Sequence, residues 1–124
     1  MIGKILLDIR ERLKARLTAH AAKKWAKSCG EGILRFRREF AYVDVSERVF
    51  YRHPRRLSDG RNRKIEAIPT RLCRLRYLGS MNRWEFAFYK YSDECYALCY
   101  LRSGRFEGTP EECFDCAANV YLRH

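Results

Sequence analysis

Three consecutive segments in the last third of the chain alternate with a period of two, and no other feature restricts the possible folds so strongly. "TRLCRLRYLG" sets Cys73, Leu75 and Tyr77 against Arg74 and Arg76; "RWEFAFYKY" sets Trp84, Phe86 and Phe88 against Glu85, Ala87 and Tyr89. "ECYALCYLR" sets Cys95, Ala97, Cys99 and Leu101 against Tyr96, Leu98 and Tyr100. Successive side chains of a strand point to opposite faces, so this pattern predicts three antiparallel strands. "GSMN" and "YSDE" supply the turns, and "RSG" ends the third strand. With Ser92 and Asp93 as the hairpin loop, Phe88 falls opposite Ala97, Phe86 opposite Cys99 and Trp84 opposite Leu101. Thr109, Pro110, Glu111 and Glu112 then give an N-cap, a proline at the first helical position and a capping-box glutamate. A helix must follow.

Towards the amino terminus the period changes. Ile5, Ile9, Leu13, Leu17, Ala21 and Trp25 recur at steps of four between Gly3 and Lys27, which predicts an amphipathic helix over residues 1–28. Arg10, Arg12, Lys14, Arg16, Lys23 and Lys24 lie on its polar side, and "SCGEG" carries the glycines that stop a helix. Ile33 to Val45 alternates again, as one long strand or two short ones broken near Arg38 and Glu39. Residues 53–64 combine Pro54, a Ser-Asp-Gly turn and concentrated arginine, which reads as an exposed basic loop. The chain of 124 residues suffices for one core, so a single domain over 1–124 is expected, with a βββα unit over 70–124. The fold class is α+β: an N-terminal amphipathic helix, an antiparallel sheet of four to five strands and a C-terminal helix on one sheet face. The apolar stripe of the N-terminal helix must also be buried, and the expectation is that it covers the other face.

Charge narrows the function. The net charge is +11, and it is uneven: residues 1–82 carry 21 Lys and Arg against 8 acids, residues 83–124 carry 5 against 7. Such asymmetry favours an acidic partner, nucleic acid before an anionic membrane surface, though a purely solubilising surface would look the same. The expected nucleic-acid-binding residues are Lys23 and Lys24 on the helix, Arg52, Arg55, Arg56, Arg61, Arg63 and Lys64 in or beside the loop, and Arg74, Arg76, Tyr89 and Tyr96 on the outer sheet face. Tyrosines beside arginines are what single-stranded nucleic-acid binders use to stack bases and track phosphates. The same tyrosines would be ordinary strand residues if the N-terminal helix lies over them. A protein-interaction module docking an acidic partner is the alternative function.

The six cysteines allow two further readings. Cys113, Cys116, Ala117 and Val120 share one narrow helical stripe that would rest on Cys95, Ala97 and Cys99, as small hydrophobes do. The sharper alternatives are a zinc site from Cys95, Cys99, Cys113 and Cys116, or a redox C-x-x-C. Helix-interior placement favours structural thiols, no metal and no cofactor. No nucleophile motif, glycine-rich phosphate loop or paired carboxylates can be read among Asp44, Glu47, Asp59, Glu66 and Asp115, and His20, His53 and His124 read as surface histidines. Catalysis is therefore not expected. The short apolar run before Asp8 lacks a cleavage site or a spanning length, which points to the cytoplasm.

The string from "FAYVDV" through "LCRLRYLGSMNRWEFAFYKYSDECYALCYLRSGRFEGTPEECFDCAANVYL" resembles a group of small uncharacterised bacterial proteins over Arg35 to Leu122, apart from the basic insertion between Glu47 and Pro69. That resemblance implies one continuous domain and transfers no catalytic or binding residue. A looser similarity in topology is to the DNA-binding domain of the plant AP2 family and the arm-binding domains of integrases, through three strands and the glycine, threonine and paired glutamates before the helix. Those families present arginines and tryptophans to the major groove; here the corresponding face offers tyrosines and Glu85.

Overall fold

In the computed structural model, which describes residues 5–52 and 63–122, the four-residue stripe forms helix α1 over Leu7–Lys24. Leu13, Leu17 and Ala21 are buried with Ile5 before it and Trp25 after it, while Ile9 is partly buried. The helix is shorter than the expected span. Trp25 takes the C-cap, and its carbonyl accepts the N–H groups of Ser28 and Cys29, so the chain turns there and "CGEG" opens strand β1, Cys29–Arg37, instead of trailing off.

Strand β2, Phe40–Arg52, returns antiparallel to β1 through a two-residue turn at Arg38 and Glu39, with Arg38 in the left-handed region at φ 55. The turn is held from both sides: the Arg38 carbonyl accepts Ile5 N–H and the Glu39 carbonyl accepts Tyr77 N–H. Strand β3 runs Arg63–Ser80 and pairs with β2 from Phe40 opposite Arg76 to Arg52 opposite Arg63. This corrects the expected loop of residues 53–64 at its far end. Arg63 and Lys64 are strand residues, because "VFYR" and "RKIEAI" supply the β-branched and aromatic residues of a long hairpin beneath a local density of charge that obscured the alternation. Arg55, Arg56 and Arg61 lie outside the described residues.

Strands β4, Arg83–Lys90, and β5, Cys95–Leu98, complete an antiparallel sheet in the order β1-β2-β3-β4-β5. Phe88 lies opposite Ala97 as expected, across a four-residue loop, Tyr91 to Glu94. Trp84 is not opposite Leu101. After Leu98 the chain leaves the sheet through a turn closed by Leu101 and Gly104, and a two-residue strand β6, Glu107–Gly108, takes the edge beside Trp84. Helix α2, Pro110–Tyr121, begins with the capping box read from the sequence, Thr109 and Glu112 bonding reciprocally.

Both helices lie on one face of the sheet, which corrects the expectation that α1 covers the opposite one. Leu13, Leu17 and Trp25 of the N-terminal segment share a single core with Val43, Leu75, Trp84 and Phe86 of the strands and Cys113, Phe114 and Ala117 of α2. Five strands at about 4.8 Å spacing span roughly 20 Å, enough for two helices about 10 Å apart. The buried side of α2 is also rotated from the expected stripe. Phe114 and Ala118 are buried and Val120 is 63% exposed, because α2 faces α1 as well as the sheet. Polar ties bind the pair: Arg16 makes a bidentate bond to Glu111 and reaches Met81 and Asn82 at the β3–β4 turn. Asp115 accepts from His20, Lys24 and the Trp25 indole, so His20 is a half-buried interhelical residue and not the surface histidine expected. Among the described residues no helix is long and apolar enough to cross a membrane.

The helix layer also decides the cysteines. Cys73 and Cys113 are fully buried between α2 and the sheet, and burial pushes both thiols well up from their ordinary range. Cys95, expected beneath the helix, is exposed at the start of β5. Among the described residues no group of three or more His, Cys, Asp or Glu side chains is placed to hold a metal ion. Native alkylation should therefore modify Cys95 first and leave Cys73 and Cys113 unmodified until the protein unfolds. Labelling of Cys113 at the rate of Cys95, read by peptide mass mapping, would contradict this packing.

Candidate functional site on the uncovered sheet face

The side of the sheet away from the helices is built from every second residue of its strands. One row across it reads Arg35, Tyr42, Arg74, Ala87, Leu98; beside it Asp44 lies opposite Arg71 and Tyr89 opposite Tyr96; a third row holds Arg37, Phe40, Arg76 and Glu85. Among the described residues no helix lies on this face.

A bulge sets the spacing of its arginines. Val43 lies opposite Cys73 but Asp44 opposite Arg71, so β3 carries one extra residue, Leu72, and both Leu72 and Cys73 are buried. Unbroken alternation from Arg76 would put Arg71 on the side of Cys73, in the core; the extra residue shifts the alternation, so that Arg71, Arg74 and Arg76 all emerge on one face.

The tyrosines do not stand free. Tyr42 on β2 and Tyr96 on β5 are three strands apart, roughly 14 Å at the usual spacing, yet their ring centroids lie 5.3 Å apart. Both side chains therefore lie down across the sheet, where Ala87 offers only a methyl group and is 1% exposed. Tyr89 meets Tyr96 at 5.0 Å and Tyr91 at 4.8 Å, both edge-on, and is itself 6% exposed. Arginines cover the rings: Arg35 lies over Tyr42 at 5.5 Å, Arg71 over Tyr89 at 5.1 Å, and Arg74 over Phe40 at 4.4 Å and Tyr96 at 5.8 Å. The expected aromatic surface flanked by arginine is thus inverted. Guanidinium groups form the outer layer, on an aromatic floor.

Asp44 sits within this floor. Its Oδ2 meets Arg35 at 3.3 Å, while Oδ1 is buried without a hydrogen-bond partner among the described residues. Burial raises its carboxyl above the ordinary value against the pull of Arg35 and Arg71. The Tyr96 hydroxyl is likewise buried with no hydrogen-bond partner among the described residues, and burial together with the Asp44 charge pushes it up to about 12. An open groove of about 790 Å³ runs past Arg35, Asp44, Arg71, Tyr89 and Tyr91, and Tyr91 is 48% exposed at its side.

The sequence-predicted residues divide among several places. Arg74, Arg76, Tyr89 and Tyr96 come together on this face, with Arg76 3.9 Å from Glu85. Lys23 is exposed on α1, in the helix layer of the other face, and Lys24 is engaged by Asp115 and lies over Trp25. Arg52, Arg63 and Lys64 are placed by their backbone at the far end of the β2–β3 hairpin. Residues the sequence reading missed are Arg35, Phe40, Tyr42, Asp44 and Arg71. The signal for Arg71 was present: in "RLCR" two apolar residues separate arginines inside an otherwise alternating strand, as a bulge requires.

No family model, curated protein or solved structure matches the chain.

Proposed function

We propose that this is a small non-catalytic cytoplasmic protein that binds single-stranded nucleic acid on the uncovered sheet face. The observation that carries the reading is the layer of arginines held over rings on a face that the helices leave open. A planar guanidinium can pair with a phosphate along its edge and stack on a base with its face, and an aromatic floor fixes its orientation before the ligand arrives. The buried rings supply this orientation. Tyr91, half exposed beside the groove, supplies an open ring. The +11 charge adds long-range attraction that any polyanion would feel.

Anisotropy titration of labelled single-stranded DNA and RNA tests the proposal. Arg71→Ala and Arg74→Ala should each weaken binding roughly 5- to 10-fold, the scale of one charged contact. Each should also flatten the salt dependence by about one unit of log–log slope. Arg74→Lys keeps the charge but loses the plane, and should recover the salt slope without the full affinity. Undiminished binding in the sheet variants, with loss on neutralising Lys23 and other exposed helix cations, would move the interface elsewhere. An acidic protein partner, the alternative, predicts that polyglutamate competes as well as an oligonucleotide of equal charge.

A further inference from the structure

The chain after β5 and helix α2 bring two half-buried thiols onto one backbone oxygen. The Tyr100 carbonyl lies 3.5 Å from Cys99 Sγ and 4.0 Å from Cys116 Sγ, so the two sulfurs are no more than about 7.5 Å apart. Burial first, and then the neighbouring Cys99, raise the Cys116 thiol above its ordinary value. Cys116 also lines an open groove of about 530 Å³ together with Arg102, Asp115 and Asn119, which gives it access from solvent. Cys73 and Cys113 lie deeper and have no such access.

We infer that Cys99 and Cys116 are a dithiol modification site, which a low-molecular-weight disulfide of the glutathione class converts into an intramolecular disulfide that ties the end of β5 to α2. In the first step the Cys116 thiolate attacks one sulfur of the small disulfide, forming a mixed disulfide and releasing one small thiolate. In the second, the Cys99 thiolate attacks the Cys116 sulfur and expels the other. Two protein thiols are oxidised, one small disulfide is reduced to two small thiols, and the two protons leave on them. Rotation about the Cα–Cβ bonds must close the remaining gap to the bonding distance of about 2.05 Å, with Cβ atoms about 3.8 Å apart. A thiol is mostly protonated at neutral pH and burial raises Cys116 further, so the reaction accelerates as pH rises. The bond would enclose the segment that carries the exposed, stacked Tyr100 and Phe106 rings and the capping box of α2.

The Cys95→Ser protein incubated with glutathione disulfide under native conditions should lose about 2 Da, and in wild type any adduct should sit on Cys95 and none on Cys99 or Cys116. Trypsin should then release residues 91–102 linked to residues 106–123, and fragmentation should assign the bond to Cys99 and Cys116. The oxidised protein should melt at a higher temperature, reversibly on addition of a reductant. Cys95→Ser should cross-link as the wild type does; Cys99→Ser should stop at a stable mixed disulfide on Cys116. Recovery of only mixed disulfides from wild type, or a bond that runs from Cys95 or Cys113, overturns the inference.

Discussion

Phe114→Ala should cost about 3–5 kcal/mol of folding stability, the range for deleting a buried aromatic ring, while Val120→Ala should stay within about 0.5 kcal/mol. The contrast follows from which side of α2 is covered. Phe114 is 1% exposed in the core shared by both helices and meets His20 edge-on at 5.9 Å, whereas Val120 is 63% exposed. A cavity at Phe114 lies between α1, α2 and the sheet, where three elements would have to move together to fill it. Chemical denaturation with an unchanged m-value would report the loss as stability alone. Equal effects at the two positions would mean that α2 is rotated onto the stripe of Cys113, Cys116, Ala117 and Val120.

Asp115→Ala should cost roughly 2–3 kcal/mol, because it removes an acceptor from the Trp25 indole and the His20 ring, donors that folding has largely desolvated. Its carboxylate accepts from Trp25 Nε1 at 2.9 Å, His20 Nε2 at 2.6 Å and Lys24 Nζ at 2.9 Å. Trp25 itself is 1% exposed. Burial by itself would raise the Asp115 carboxyl, but the hydrogen bonds from His20, Trp25 and Lys24 outweigh it and leave it below its ordinary value. An acid held down in the folded state binds its proton less readily there than in the unfolded chain. Its contribution is therefore complete above the unfolded value near pH 4 and is lost as pH falls through the folded value. Wild type should show this acid loss, and Asp115→Ala should lack that part of it. Stability curves of the two proteins that stay parallel down to pH 2 would show that Asp115 does not hold the helices together.

The inverted surface has a consequence for mutagenesis of the proposed interface. Removing Tyr89 or Tyr96 takes away the floor on which Arg71 and Arg74 are oriented, so loss of binding in those variants would not by itself identify a stacked base. Tyr91→Ala is the cleaner probe of stacking, because half of that side chain is already in solvent, although its hydroxyl also accepts the Arg71 backbone N–H.

Both helices and the principal strands were legible in the amino-acid sequence, although β6 and the start of β1 were not. Step-of-four spacing from Ile5 to Trp25 defines α1, the alternations define β3 to β5, and Thr109 to Glu112 define the start of α2. These signals are local: each rests on the periodicity of one element or the hydrogen bonding of one cap, so a short window contains the whole cause. The hairpin register between β4 and β5 was legible for the same reason, since a short loop leaves little freedom. Charge density concealed the ends of β2 and β3, where pairing with a partner strand outweighs local composition.

Which face each element buries was settled by long-range packing. A stripe on α1 records that the helix must be buried, not which side of the sheet buries it, and the interhelical bonds of Arg16 and Asp115 join residues about ninety positions apart in sequence. The placement of α1 beside α2 left the other sheet face without a helix among the described residues, rotated the buried side of α2 towards Phe114 and separated Cys95 from the thiols it was expected to join. The arginine layer arose the same way. Alternation assigned Arg74 and Arg76 to the outer face, but Arg71 reaches it through a bulge, and its tyrosine floor exists because side chains from strands three apart lie down across a single alanine.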